Sequence, residues 1–301
     1  MGLNPELIEL LTLNNCTVEV FDYGVTHIQL FVRYKNVLNF NDISLAVKSF
    51  YPNAILFKAP WVHGNTVSAV FMVENQYQKS TLVPGTDRNL IFITSHRQVN
   101  ELEYYSKFLN RTEIMKTFDL ILCINKTDID IETVRKWFLT FPNKNKHLIF
   151  TSKNYGYRLG PHEMLSDFYG IISTYDNVMH THPDVFIMDE NKLLEVMYSN
   201  RECGIVVGCS NINPDVQEVQ KPQFATDCFM IRPKIIGKNI FKDYELPECI
   251  NMVCEDFLEN IIKKNSIPYA FVKKYDNDWY TPRRLSLWGI WHEHELHRLP
   301  T

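Results

Sequence analysis

The sequence predicts an α/β protein: a small α+β N-terminal unit over residues 1–88, then a doubly wound mixed sheet over residues 89–301. Three observations carry this expectation. Leu90-Ile-Phe-Ile-Thr94, Leu120-Ile-Leu-Cys-Ile124 and His147-Leu-Ile-Phe-Thr151 are strand-length apolar runs without in–out alternation, as expected of strands buried on both faces of a parallel sheet. Helix-like spacing separates them, at Asn100–Leu109 and Ile131–Phe141. Strand–helix–strand units with short loops cross over right-handed and wind into one open sheet.

The N-terminal unit reads differently. Thr17-Val-Glu-Val-Phe21 and His27-Ile-Gln-Leu-Phe-Val32 alternate, Asp42–Tyr51 is helical, and Ala54-Ile-Leu-Phe57 and Thr66–Val73 are again strand-like. The loop Leu82–Asn89 separates this unit from the rest, and no motif within it carries chemistry.

A chain of 301 residues can bury a full core, and its 45% apolar and 22% charged residues are ordinary for a globular protein. A net charge of −4 argues against a nucleic-acid binder, which carries a basic face. The basic clusters Lys144–His147, Lys263-Lys264 and Arg283-Arg284 are short and read as solvated surface. No stretch approaches the roughly 20 apolar residues of a membrane span. Met1-Gly-Leu-Asn-Pro-Glu6 lacks the basic start and apolar run of a signal peptide, and Glu6 breaks the myristoylation pattern. Seven irregularly spaced cysteines read as reduced thiols, so a cytoplasmic location is expected.

In open α/β sheets, ligands bind beyond the carboxyl ends of the strands. Those ends here carry Thr94-Ser95-His96-Arg97, Asn125-Lys-Thr-Asp128 and Thr151-Ser-Lys-Asn154. A polar loop with two glycines follows, Asn154-Tyr-Gly-Tyr-Arg158-Leu-Gly160-Pro161, leading into a helical stretch over His162–Ser173. Further on, Val178-Met179 runs into the polar tip His182-Pro183-Asp184, and Val185-Phe-Ile187 leaves it. Phe224-Ala-Thr-Asp227-Cys-Phe-Met-Ile-Arg-Pro233 is the next strand-like segment.

From Asn89 to about Pro233 this order of signals resembles the GT-A glycosyltransferases, which use nucleotide-sugar donors and place a short acidic tip, usually Asp-x-Asp, at such a break. The resemblance implies a GT-A-like fold and transfer of a hexose or pentose from a UDP- or GDP-sugar to a glycan or other hydroxyl acceptor. It implies donor contacts from Thr94, Ser95, His96, Arg97, Asn125, Asp128, Asn154, Arg158, Gly160 and Asp184. Asp184 matches the last acid of the tip, and His182 stands where the first acid is expected.

The chemistry explains these residue types. A departing nucleoside diphosphate leaves negative charge that a divalent cation or basic side chains must stabilise. Imidazole ligates Mn²⁺ better than Mg²⁺, which prefers oxygen, so His182 tilts the expected cofactor toward Mn²⁺. Arg158 can pair with the diphosphate in a bidentate way.

Asp227 lies among apolar strand residues, where a carboxylate is costly unless paired. It is expected to face a cavity as general base or acceptor ligand, the alternative being an ion pair with Arg232. Glu255-Asp256, within the helical stretch Asn251–Lys264, resembles the acidic pair that inverting enzymes use as base. Late in the chain, Trp288-Gly-Ile-Trp-His292-Glu-His294 places two histidines on one face if the segment is a strand. Some GT-A enzymes return a late histidine to the metal, which makes His292 and His294 further candidate ligands; a solvated tail is the alternative.

Two other classes remain open. His180-Thr-His182 is the His-x-His of metal-dependent hydrolase barrels, but too few residues follow it to complete a barrel. A non-catalytic sugar-nucleotide-binding or scaffolding protein would account for the altered tip.

Overall fold

The computed structural model describes residues 4–22, 27–34, 40–52, 54–63, 66–74, 86–95, 116–125, 130–152, 155, 160–183, 185–187, 190–210, 223–242, 254–273 and 290–292. They belong to two compact units that divide near residue 80.

The first unit runs α1 (Pro5–Leu13), β1 (Cys16–Asp22), β2 (His27–Tyr34), α2 (Phe40–Phe50), β3 (Ile55–His63) and β4 (Thr66–Glu74). Asn4 starts α1 by accepting the Glu6 amide on its side chain, with Pro5 at the first helical position. All strand pairs are antiparallel, in the order β1-β2-β4-β3. Leu7, Leu11, Ile43 and Val47 of the helices bury against Val32, Ala69 and Phe71 of the sheet. Strand β3 extends past the expected Phe57 to His63. Its register with β4 slips between Leu56 and Lys58 and between Lys58 and Trp61, around Pro60, which has no amide to give the ladder.

The second unit contains β5 (Asn89–Ser95), β6 (Asp119–Ile124), α3 (Ile131–Thr140), β7 (Lys146–Phe150), α4 (Gly160–Asp167), α5 (Tyr169–Ile172), β8 (Asn177–Thr181) and β9 (Val185–Ile187). It continues through α6 (Glu190–Ser199), β10 (Ile205–Ser210), β11 (Gln223–Ile231), α7 (Pro233–Ile236), α8 (Cys254–Lys264), β12 (Tyr269–Lys273) and β13 (Ile290–His292). Seven strands form a mixed, mostly parallel sheet in the order β12-β10-β11-β8-β5-β6-β7, and β13 pairs separately with β9. Only β11 runs against its neighbours, β8 and β10. From β5 the chain moves outward to β6 and β7, then returns to lay β8 on the other flank of β5. The sheet is therefore an open α/β sheet whose winding reverses between β5 and β8.

Burial follows position in this order. Every residue of β5 and β8 is buried, as the apolar runs predict. Strand β7 is only half-buried, because it ends the sheet and has a neighbour on one side. The helix expected over His162–Ser173 is broken into α4 and α5 at Phe168. The helix expected at Asn100–Leu109 lies outside the described residues. Against one face of the sheet, α4, α5 and α8 bury Met164, Leu165, Ile172, Phe257 and Leu258 on Leu90, Phe92 and Phe229.

The amino ends of the central strands are tied by a buried polar network. Asn177 donates to Asn89 at 2.8 Å. Arg232, 5% exposed, donates from Nε to Asn177 Oδ1 and from its terminal nitrogens to the carbonyls of Met197, Asn200 and Cys203. Its guanidinium is thus directed to the start of β8 and the turn after α6. Burial holds its pKa below the ordinary arginine value. Replacing Arg232 with Met would strip these buried acceptors of their donor, at about 1–3 kcal/mol for each group left unsatisfied. Arg232→Met is therefore expected to lower the unfolding free energy by about 3 kcal/mol or more, read as a shifted urea midpoint.

Candidate functional site

Strands β5 and β8 are parallel neighbours in register from Asn89↔Asn177 to Ile93↔Thr181, so their carboxyl ends leave the sheet together at the point of reversal. Thr94, Ser95 and His182 lie just beyond the last pair. The Thr94 hydroxyl, 4% exposed, turns inward and lies 3.0 Å from His180 Nε2. Ser95 is 1% exposed, and its hydroxyl has no hydrogen-bond partner among the described residues. The Ser95 carbonyl accepts the Asn125 amide at 2.9 Å, which joins the ends of β5 and β6.

Beneath the tip lie two imidazoles that sequence reasoning did not assign to this site. His180, on β8, packs on Phe229 with ring centroids 4.7 Å apart and meets His182 edge-on at 5.3 Å and 87°. His162, on α4, packs on Phe257 at 4.8 Å and stacks on Phe229 and Phe241. Both rings are buried, and the Nδ1 of each has no hydrogen-bond partner among the described residues, a cost of about 1–3 kcal/mol for each group. Burial, then the proximity of His182, pushes the His162 pKa down to about 3. The same causes, with His162 added, hold His180 well below the ordinary histidine value. Both are neutral at physiological pH. The signal for His180 was present in the sequence, since residues two apart on a strand share a face. For His162 there was none, because only the packing of α4 brings it here.

A second cluster forms at the end of β6. Asn125 donates from Nδ2 to the Tyr155 carbonyl at 2.9 Å and accepts the Tyr155 amide on Oδ1 at 3.0 Å. The Tyr155 phenol donates to Asp167 at 2.8 Å, and burial followed by Asp167 raises its pKa. A Cβ on Gly160 would stand 3.2 Å from Tyr155 Cβ, so glycine lets the loop close tightly onto α4. Asn125 and Gly160 thus meet through Tyr155.

The tip is a tight turn in which the Val185 amide donates to the His182 carbonyl at 3.2 Å. Backbone register brings two further segments to it. Strand β11 pairs Cys228 with Thr181, so the next positions outward are Asp227 and His182. Strand β13 pairs His292 with Val185. Glu255 lies in the first turn of α8, the helix whose Phe257 packs on His162. His96, Arg97, Asp128, Asn154, Arg158, Asp184 and His294 lie outside the described residues. Among the described residues, no three His, Cys, Asp or Glu side chains converge as a metal site. Nor is any described helix long and apolar enough to cross a membrane. The hydrolase reading required His180-Thr-His182 to end a barrel strand; β8 instead lies in an open sheet, with its His180 committed to Thr94.

No family model matches the chain, and no curated protein sequence matches it. Among solved structures it is similar to a mannosyltransferase from Pyrobaculum calidifontis in complex with GDP-mannose and Mn²⁺, with a TM-score of 0.46 and 13% identity over 66% of this chain and 59% of that one. It is similar to the glycosyltransferase GlyE of Streptococcus pneumoniae, with a TM-score of 0.43 and 14% identity over 63% of this chain and 46% of that one. A third is the 4-diphosphocytidyl-2C-methyl-D-erythritol synthase of Anaerococcus prevotii, with a TM-score of 0.42 and 13% identity over 62% and 87%. The chain spans less than two thirds of the first two proteins.

The buried imidazoles make stability depend on pH with a definite sign. His162 binds a proton near pH 6.5 when unfolded but only near pH 3 when folded. Its neutral burial is therefore fully compatible with folding above pH 6.5, and stability is lost as pH falls from there toward 3, on the order of 1 kcal/mol per pH unit. Urea unfolding across pH 4–7 is expected to show this slope, and His162→Phe is expected to reduce it, the buried His180 retaining its own share.

Proposed function

We propose that this protein is a glycosyltransferase of the GT-A type that moves a sugar from a nucleoside-diphosphate sugar to a hydroxyl of a glycan or glycoconjugate. Residues 89–301 would form the transferase domain and residues 1–88 an accessory unit. The observation that carries the reading is the polar tip His182-Pro183 placed directly beyond the reversal between β5 and β8, with the unpartnered Ser95 hydroxyl on the adjoining strand end. The pairing of His292 with the strand leaving the tip supports it further.

In this reading the donor lies across the carboxyl ends of β5, β6 and β8. The Ser95 hydroxyl, buried and without a partner among the described residues, would be satisfied by the nucleotide. Arg158, with Asn154, would meet the diphosphate, and His96, Arg97 and Asp128 would complete the donor contacts. By residue type, His182 and Asp184 at the tip, with His292 and His294 late in the chain, would supply imidazole and carboxylate ligands, a set better suited to Mn²⁺ than to Mg²⁺. Such a cation would supply positive charge against the departing diphosphate. Asp227, in register beside His182, or Glu255 on α8 would take the proton from the acceptor hydroxyl.

A non-catalytic sugar-nucleotide-binding protein is the second reading, favoured by the histidine at position 182. Turnover separates the two, since binding without transfer or donor hydrolysis supports the second.

Two outcomes test the enzyme reading. UDP or GDP is expected to raise the melting temperature more with Mn²⁺ than with EDTA, and Asp184→Ala is expected to abolish that difference. Equal shifts with and without metal would remove the cation from the site and leave charge neutralisation to Arg158. Asp227→Asn keeps shape and hydrogen bonding while removing basicity. It is expected to leave donor affinity within a few-fold of the parent and to slow transfer by about a hundredfold. If Glu255→Gln shows the loss and Asp227→Asn does not, the base lies on α8.

A further inference from the structure

Below the tip, one side-chain hydrogen bond joins the carboxyl ends of the paired strands β5 and β8. Thr94 and His180 each lie one residue before the end of their strand; Thr94 Oγ1 and His180 Nε2 are 3.0 Å apart, both side chains buried. The other surfaces of the His180 ring meet aromatic groups: Phe229 at 4.7 Å, Phe92 at 6.4 Å, and the His182 ring edge-on at 5.3 Å. A neutral imidazole flips about its terminal torsion with little steric penalty. The bond to Thr94 removes that freedom, because a flipped ring presents a carbon to the hydroxyl.

We propose that the Thr94–His180 bond is a positioning device for His182: it fixes the His180 ring, which meets the His182 imidazole edge to face and helps set its orientation, with His182 Nε2 itself buried. This inference rests on the cation-assisted reading above in giving His182 something to bind. Metal-ligating histidines take their orientation from neighbours of this kind, and loss of such a neighbour typically weakens metal binding about 10- to 100-fold. In this inference Thr94 acts through His180, and both are positioning residues.

Thr94→Val keeps the shape and removes the hydroxyl, while Thr94→Ser keeps the hydroxyl. His180→Phe attacks the bond from the other side, retaining an aromatic ring on Phe229. Two measurements are made on each variant alongside the parent. The first is the imidazole ¹⁵N spectrum of the metal-free protein at one fixed pH, with the His182 signals assigned by their loss in His182→Gln. The second is the affinity for Mn²⁺ alone, by electron paramagnetic resonance. Thr94→Val and His180→Phe are expected to shift or split the His182 signals and to weaken Mn²⁺ binding about tenfold or more; Thr94→Ser is expected to restore both. His182 signals unchanged in Thr94→Val and His180→Phe, with Mn²⁺ affinity within twofold of the parent, would overturn the inference and leave the bond as a cross-link of the core. If the His182 signals depend on Thr94 but the parent binds no Mn²⁺, the positioning stands and the cation-assisted reading fails. A variant that does not fold is replaced in the comparison by the other, since either one removes the bond.

Discussion

The parallel pairing of β5 with β8 is the constraint on which the rest of the second unit depends. Both strands are buried along their whole length, so polar groups at their ends are costly without partners within the protein, and most of them have one. At the amino ends, Asn89 and Asn177 bond each other, and Arg232 links β11 to them. At the carboxyl ends, Thr94 and His180 do the same across the pair. With both ends cross-linked, register cannot slip, and the crevice at the reversal opens at a defined place.

Polarity beneath the tip is arranged around neutrality. His162 and His180 sit among Phe92, Phe229, Phe241 and Phe257, where an imidazolium would have no compensating carboxylate described beside it. Neutral rings leave the crevice floor uncharged, a medium in which charges above it interact more strongly than they would in water. Positive charge at this end of the sheet therefore does not come from these two imidazoles.

Side chains that hold backbone rather than ligand are prominent around this crevice. Asn125 has the residue type and strand-end position expected of a donor contact, yet both functions of its amide go to Tyr155. Thr94 likewise turns to His180. Such residues shape the crevice through the segments they anchor, and Ser95 is the strand-end hydroxyl that remains uncommitted among the described residues.

The sequence by itself determined the class of the fold and its central strands, because burial on both faces selects unbroken apolar runs and Leu90–Thr94 and Leu120–Ile124 display them. It also marked the tip at His182, since a polar break between two apolar runs is a local pattern. Three things were decided by tertiary structure alone. Strand β7 carries an apolar run like the others, but its place at the sheet edge leaves it half-exposed. Strand β13 is three residues long and acquires strand structure from its pairing with β9, a contact between segments a hundred residues apart that no local periodicity encodes. The destination of each polar side chain was the third. Thr94 and Asn125 look alike as donor contacts in sequence, and only the positions of His180 and Tyr155 settle which hydrogen bonds each makes.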